Sequence, residues 1–114
     1  MSRDRLLLLQ SGFTDDKQPG ERFVCPDCLP VEGLLAGHPD LAARLDIERL
    51  PFARPRAVVI EALDDAHQGL PVLILGDEQA APEDAQTLGE RRFVTDTRRI
   101  LALLAERHGF PKLH

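Results

Sequence analysis

The chain holds two cysteines, and they stand three positions apart in Cys25-Pro26-Asp27-Cys28. That spacing lets the two sulfurs close a disulfide with each other and open it again, so thiol–disulfide exchange is the first chemistry to consider. Pro26 inside the pair and the apolar run behind it predict a helix that opens at the cysteines and runs to about Gly37, with Val31, Leu34 and Leu35 at helical spacing. Free backbone N–H groups and the dipole at a helix start favour a thiolate there. Asp27 works the other way, by setting a negative charge beside the thiols. Pro30 falls beyond the first turn of such a helix, where it is expected to remove a hydrogen bond or kink the chain.

The same two sulfurs also have the spacing of metal ligands, and His38 or His67 would have to complete the set. Zinc usually takes four protein ligands, and the sequence has no second cysteine pair, so no metal site is assigned. A third reading is an inert dithiol on a binding or adaptor module, with the acidic 76–90 segment as the presented surface. No Ser–His–Asp pattern supports hydrolase chemistry.

A length of 114 residues fits one domain over 1–114, with room for a packed core. Net charge is −5, from 14 basic and 19 acidic groups, which argues against a nucleic-acid partner. The pairs Arg91-Arg92 and Arg98-Arg99 have the forked donors that hold carboxylates, although exposed charge pairs contribute little. The head of the chain, Ser2-Arg3-Asp4-Arg5 followed by four leucines, pairs charge with an apolar run. That run is too short for a membrane span and lacks a small-residue cleavage site, so a buried strand is expected. The protein is therefore expected in the cytoplasm, away from membranes, where a stable structural disulfide is unusual.

These residues must be held by a small set of elements. Arg5–Gln10 reads as a strand that is apolar on both faces, hence central in a covered sheet. A polar loop over 11–21 leads to the cysteine helix, and Leu41–Leu45 forms a further turn. Asp46–Phe52 reads as the second strand, and Pro55 starts a short helix that carries Ala57–Leu63. Leu70–Leu75 is the third strand. Gly76–Glu90 lacks any period and reads as a flexible loop. Arg91–Thr95 is the fourth strand, and Asp96 caps a last helix that Gly109 and Pro111 end after His108. His108 would then be a favourable charge at that helix's C-terminus. The order is β-α-β-α-β-β-α: an α/β fold with a central four-stranded mixed sheet flanked by helices. Its first two strands are parallel across a helical crossover and its last two form a hairpin.

With this order in hand, the chain resembles the thioredoxin-like superfamily over nearly its full length. Cys25-Pro26-Asp27-Cys28 is closest to the glutaredoxin form of the motif. Leu70-Pro71-Val72 stands where the superfamily carries a cis proline beside its cysteines. Thr95-Asp96-Thr97 resembles the cap that holds the γ-glutamyl end of glutathione. The runs Arg92-Phe93-Val94-Thr95-Asp96-Thr97 and Glu106-Arg107-His108-Gly109-Phe110-Pro111 resemble a small bacterial thioredoxin-like family of uncharacterised function.

The resemblance implies a thiol–disulfide oxidoreductase. Cys25 would be the attacking sulfur and Cys28, one turn on, the resolving one, with Arg22 as the cation nearest the thiolate. Leu70, Pro71, Thr95 and Asp96 would bind the substrate, though Asp96 also serves as a plain helix cap. The partner would be a protein or low-molecular-weight disulfide or thiol. No cofactor is implied beyond glutathione as a candidate co-substrate. The sequence leaves the oligomeric state open.

Overall fold

The structure is a computed structural model that describes residues 2–114. Its frame is a five-stranded mixed sheet in the order β2-β1-β3-β5-β4. The strands are β1 (Arg5–Leu9), β2 (Asp46–Leu50), β3 (Val72–Ile74), β4 (Gln86–Leu88) and β5 (Arg91–Val94). The helices are α1 (Leu29–Gly37), α2 (Pro39–Ala42), α3 (Ala57–Ala62) and α4 (Thr97–His108).

Four consecutive leucines explain why β1 is central. Successive strand side chains point to opposite faces, so Leu6 and Leu8 enter one core with α1 and α4, while Leu7 enters a second core under α3. A strand buried on both faces needs neighbours on both sides. β1 has β2 alongside in parallel, with Leu7 opposite Glu48, and β3 antiparallel, with Leu6 opposite Leu73. The first core takes Ile100, Leu101, Leu103 and Leu104 from α4 and Val31 and Leu35 from α1. The second takes Val59, Ala62 and Leu63 against Val72, Ile74 and Phe93. Burying each such side chain contributes about 1.5–3 kcal/mol.

Two expectations are corrected here. The sheet has five strands rather than four, because Gln86–Leu88 pairs antiparallel with β5 inside the segment that reads as loop. The hairpin is thus β4–β5, turning at Gly89 (φ 62°), while β3 and β5 are antiparallel neighbours that a longer excursion connects. Nor is the rest of 76–90 loose. Arg99 forks onto Asp84 at 2.7 and 3.0 Å, Arg107 donates to the Ala80 carbonyl, and Gln79 donates to the Arg107 carbonyl. Periodicity misses this segment because polar side chains, not an apolar stripe, hold it.

The last helix forms where the sequence places it. The Asp96 side chain accepts from the Arg99 N–H at 2.9 Å, and Gly109 at φ 77° ends the helix in a left-handed turn that disfavours a side chain. His108 stands in the last turn of this helix, as expected, but it is buried. It is 7% exposed, and its Nε2 lies 2.8 Å from an Asp4 carboxylate oxygen that also takes the Arg107 Nε at 2.7 Å. Burial alone would raise the Asp4 carboxyl. The bonds from Arg107, the Gly76 N–H and His108 outweigh that and hold it below the usual carboxylate value.

Candidate active site

Pro30 decides how the cysteine segment folds. The Leu29 N–H reaches the Cys25 carbonyl at 3.1 Å, which closes one turn. Pro30 has no N–H to offer the Pro26 carbonyl, so the ladder breaks there and resumes with Glu32 N–H on the Cys28 carbonyl at 2.9 Å. The expected helix start at the cysteines is therefore corrected. The pair occupies an isolated turn, α1 begins at Leu29, and Pro30 falls in its first turn, where no intrahelical donor is missed.

This turn makes the two sulfurs unlike. Cys25 is half-buried, and its Sγ accepts the Cys28 N–H at 3.3 Å. Cys28 is 2% exposed within the first core, and its Sγ accepts the Leu9 N–H at 3.5 Å from the end of β1. Burial pushes the Cys28 thiol up to about 12; the Leu9 N–H opposes this, while the neighbouring Cys25 sulfur and the Glu32 charge add to it. Both cysteines are free thiols. Arg49 forks onto Glu32 at 2.8 and 2.6 Å and so ties α1 to β2.

Four residues distant in sequence meet beside this turn. Leu70, Pro71, Thr95 and Asp96 line one groove of about 520 Å³ together with Pro26, Asp27 and Arg98. The Leu70–Pro71 peptide is cis. Thr97 Oγ1 donates to the Asp27 carbonyl at 3.1 Å and pins the cysteine turn to the head of α4. Gln86 Nε2 donates to Thr95 Oγ1 at 3.2 Å, so β4 braces the far wall. One Asp96 oxygen is the helix cap described above, and both Thr95 and Asp96 are exposed to the groove. Among the described residues three large apolar ones are exposed: Val24 and Leu29 flank the cysteine turn, and Leu113 lines the groove.

A second cavity of about 720 Å³ lies between the 11–17 segment and Pro51–Ala53. Phe13 and Phe52 stack in it at 4.4 Å and 3°. Phe13 is also paired with Phe23 by a single antiparallel bridge, which closes the base of the first loop.

Arg22 reaches the Gly12 carbonyl at 3.3 Å and stays exposed. The buried cation on the cysteine side is Arg56, which composition could not single out. Arg56 is 8% exposed. Its Nη1 donates to the Gln68 carbonyl at 2.8 Å and its Nη2 to the Phe52 carbonyl at 2.7 Å. Burial and the nearby Arg54 charge lower its affinity for its proton, and the charges of Cys25 and Cys28 support it. The local clue in sequence was the cis-capable Arg54-Pro55-Arg56 run, since Pro55 stands before the helix N-cap and Arg56 is the cap itself.

His38 packs edge-on to Phe110 at 6.1 Å, and His67 pairs with Asp64 at 2.6 Å. Among the described residues no group of three or more His, Cys, Asp or Glu side chains is placed to hold a metal ion. Among the same residues no helix is long and apolar enough to cross a membrane.

No curated protein and no solved structure matches the chain. A family model described as "Protein of unknown function (DUF3088)" matches residues 3–112, and the chain belongs to that family.

Proposed function

We propose that the protein is a thiol–disulfide oxidoreductase on a thioredoxin-like scaffold, with Cys25 as the attacking sulfur and Cys28 as the resolving one. The observation that carries this reading is the asymmetry of the pair beside a lined groove: one sulfur is half-exposed, and the other is buried and held protonated. The strand order β2-β1-β3-β5, with β1 and β2 parallel and the next two pairings antiparallel, supports the scaffold. The cis Leu70–Pro71 bond in the groove wall supports it as well.

The exchange balances as follows. The Cys25 thiolate attacks one sulfur of a substrate disulfide, forming a mixed disulfide and expelling the other sulfur as a thiolate, which takes a proton. Cys28 then attacks the Cys25 sulfur, the Cys25–substrate bond breaks, and the Cys28 proton ends on the departing substrate sulfur, which leaves as a thiol. Two electrons pass to the substrate and the Cys25–Cys28 disulfide remains. The cause of the raised Cys28 value changes during this cycle. Once Cys25 is bonded to substrate, its charge and hydrogen bond no longer hold the Cys28 proton, and burial and Glu32 remain as the opposing influences. The resolving thiol is thus quiet before attack and freer after it.

Substrate would enter along Leu70, Pro71, Thr95 and Asp96, as a protein or low-molecular-weight disulfide, with glutathione the small thiol to test first. On this reading the protein works in a reducing compartment, with the dithiol as its resting form.

The test is alkylation of the reduced protein as a function of pH, with the two cysteines read separately by mass spectrometry. Cys25 should label at neutral pH at least a hundredfold faster than Cys28. The Cys25→Ser variant should lose turnover of a small aliphatic disulfide. Equal labelling of the two sulfurs, or biological activity retained by a Cys25→Ser, Cys28→Ser double variant, would leave a binding module in its place.

A further inference from the structure

We propose that Arg56 is the built-in counter-cation of the reduced dithiol and acts as a positioning residue for Cys25. The inference rests on the oxidoreductase reading above. Three observations carry it. Arg56 is more than nine-tenths buried, yet among the described residues it has no carboxylate partner; both of its terminal nitrogens go to backbone carbonyls. A buried guanidinium without a counter-ion is costly unless an anion forms beside it. Its Nε is buried and lacks any hydrogen-bond partner, an arrangement that is rare in folded proteins and leaves one donor of the guanidinium uncommitted.

The third observation is placement. The guanidinium clamps the carbonyl of Phe52 to that of Gln68, two positions before Leu70, and lies 5.8 Å from the Phe52 ring centre. Phe52, Leu70 and Cys25 pack against the same core that contains Cys28. Arg56 therefore ties together the two loops beside the dithiol and brings its charge to their junction. Burial and the Arg54 charge lower the proton affinity of Arg56, and negative charge on the cysteines opposes that lowering.

Other charges stand near the cysteine turn. Asp27 lies in the turn, Glu32 on α1 beside Cys28, Asp96 across the groove, and Arg54 in the loop with Arg56. Of these acidic groups, Glu32 is paired with Arg49, and Arg98 lines the groove with Asp27 and Asp96; Arg56 is the cation on the core side. Arg56 stabilises the thiolate but has nothing to pair with in the disulfide. It therefore favours the reduced form and makes the disulfide easier to reduce.

The test compares Arg56→Lys, which keeps the charge, with Arg56→Gln, which removes it; both lose the two-carbonyl fork. In Arg56→Gln, Cys25 alkylation at neutral pH should slow about tenfold. The dithiol–disulfide equilibrium in a glutathione buffer should move about tenfold toward disulfide, or roughly 30 mV. Arg56→Lys should stay within about threefold of the parent in both. A purely structural clamp predicts that the two variants behave alike, and that result overturns the proposal. So does an unchanged Arg56→Gln.

If a variant fails to fold, the unmodified protein still decides the matter. The NMR signal of the Arg56 Nε–H should move with the same pH midpoint as the Cys25 alkylation rate, and should shift again on oxidation. A signal indifferent to both refutes the role. The failures are separable: an unreactive Cys25 in the unmodified protein defeats the oxidoreductase reading, whereas a reactive Cys25 indifferent to Arg56 defeats this inference alone.

Discussion

Deprotonating Cys28 in the reduced protein should destabilise the fold, and the size of the effect follows chiefly from its burial. The thiol sits at 9.0 when unperturbed and is pushed up to about 12 in the fold. Between those values the folded chain keeps a proton that the unfolded chain has lost. Raising the pH therefore favours unfolding, and the stabilisation present below pH 9 drains away toward pH 12. The slope is about 1.4 kcal/mol per pH unit and the full loss about 4 kcal/mol. For a domain of this size that lowers the melting temperature by roughly 15 °C.

The sequence makes this measurement unusually clean. It has no tyrosine, and its two lysines, Lys17 and Lys112, are both exposed, so few other groups change charge in the window. Urea unfolding of the reduced protein at a series of alkaline pH values should show the fall. Cys28→Ala should start lower, because it leaves a small cavity, but its stability should be nearly flat over the same range. The oxidised protein should be flat too, since neither sulfur then carries a proton. A Cys28→Ala variant that keeps the full alkaline slope would refute the claim that this buried thiol is its source.

Other outcomes follow from the same structure. Asp4→Asn strands the buried Arg107 and His108 and should cost about 3–5 kcal/mol by urea unfolding. Because the folded Asp4 carboxyl is held low, its contribution is present above about pH 4 and disappears as pH falls through the folded value; Asp4→Asn should flatten that acid limb. Asp96→Ala removes the cap on Arg99 N–H and should cost about 1 kcal/mol in thermal unfolding. Gly76→Ala should destabilise the fold measurably, because a Cβ there meets the Ser2 and Arg3 backbone; a variant as stable as the parent would show that the two segments separate freely.

How much of this could be read from sequence depends on what kind of signal each residue leaves. Leu6–Leu9 and the Ile100–Leu104 stripe are apolar patterns with a period, and both elements form where that period puts them. Cys25 and Cys28, Leu70 and Pro71, and Thr95 and Asp96 are marked by local motifs; the last four line one groove with Pro26 and Asp27 of the cysteine turn, and neither cysteine is among its lining residues. β4 and Arg56 left no such trace. β4 is three residues long and polar on its exposed side, and it exists because β5 offers it a partner. Arg56 is one arginine among many, and its importance comes from burial by Phe52 and Gln68, which only the folded chain brings about. The start of α1 was misplaced for a different reason. From spacing alone Pro30 reads as a fault within a helix, whereas it is the residue that sets where the helix begins.

The Asp4 cluster has a consequence for how the chain is made. Synthesis runs from the N-terminus, so the central strand and its acidic neighbour emerge first. The groups that satisfy that carboxylate, Arg107 and His108, stand 103 and 104 positions later. Until the last helix has left the ribosome, Asp4 can stay solvated only if the β1 end stays open. Completion of the fold is thereby tied to synthesis past residue 108: a product cut short before residue 107 retains its leucine strand but cannot bury it without stranding a charge. Incomplete chains would then present an exposed apolar strand, the kind of surface that chaperones and proteases act on.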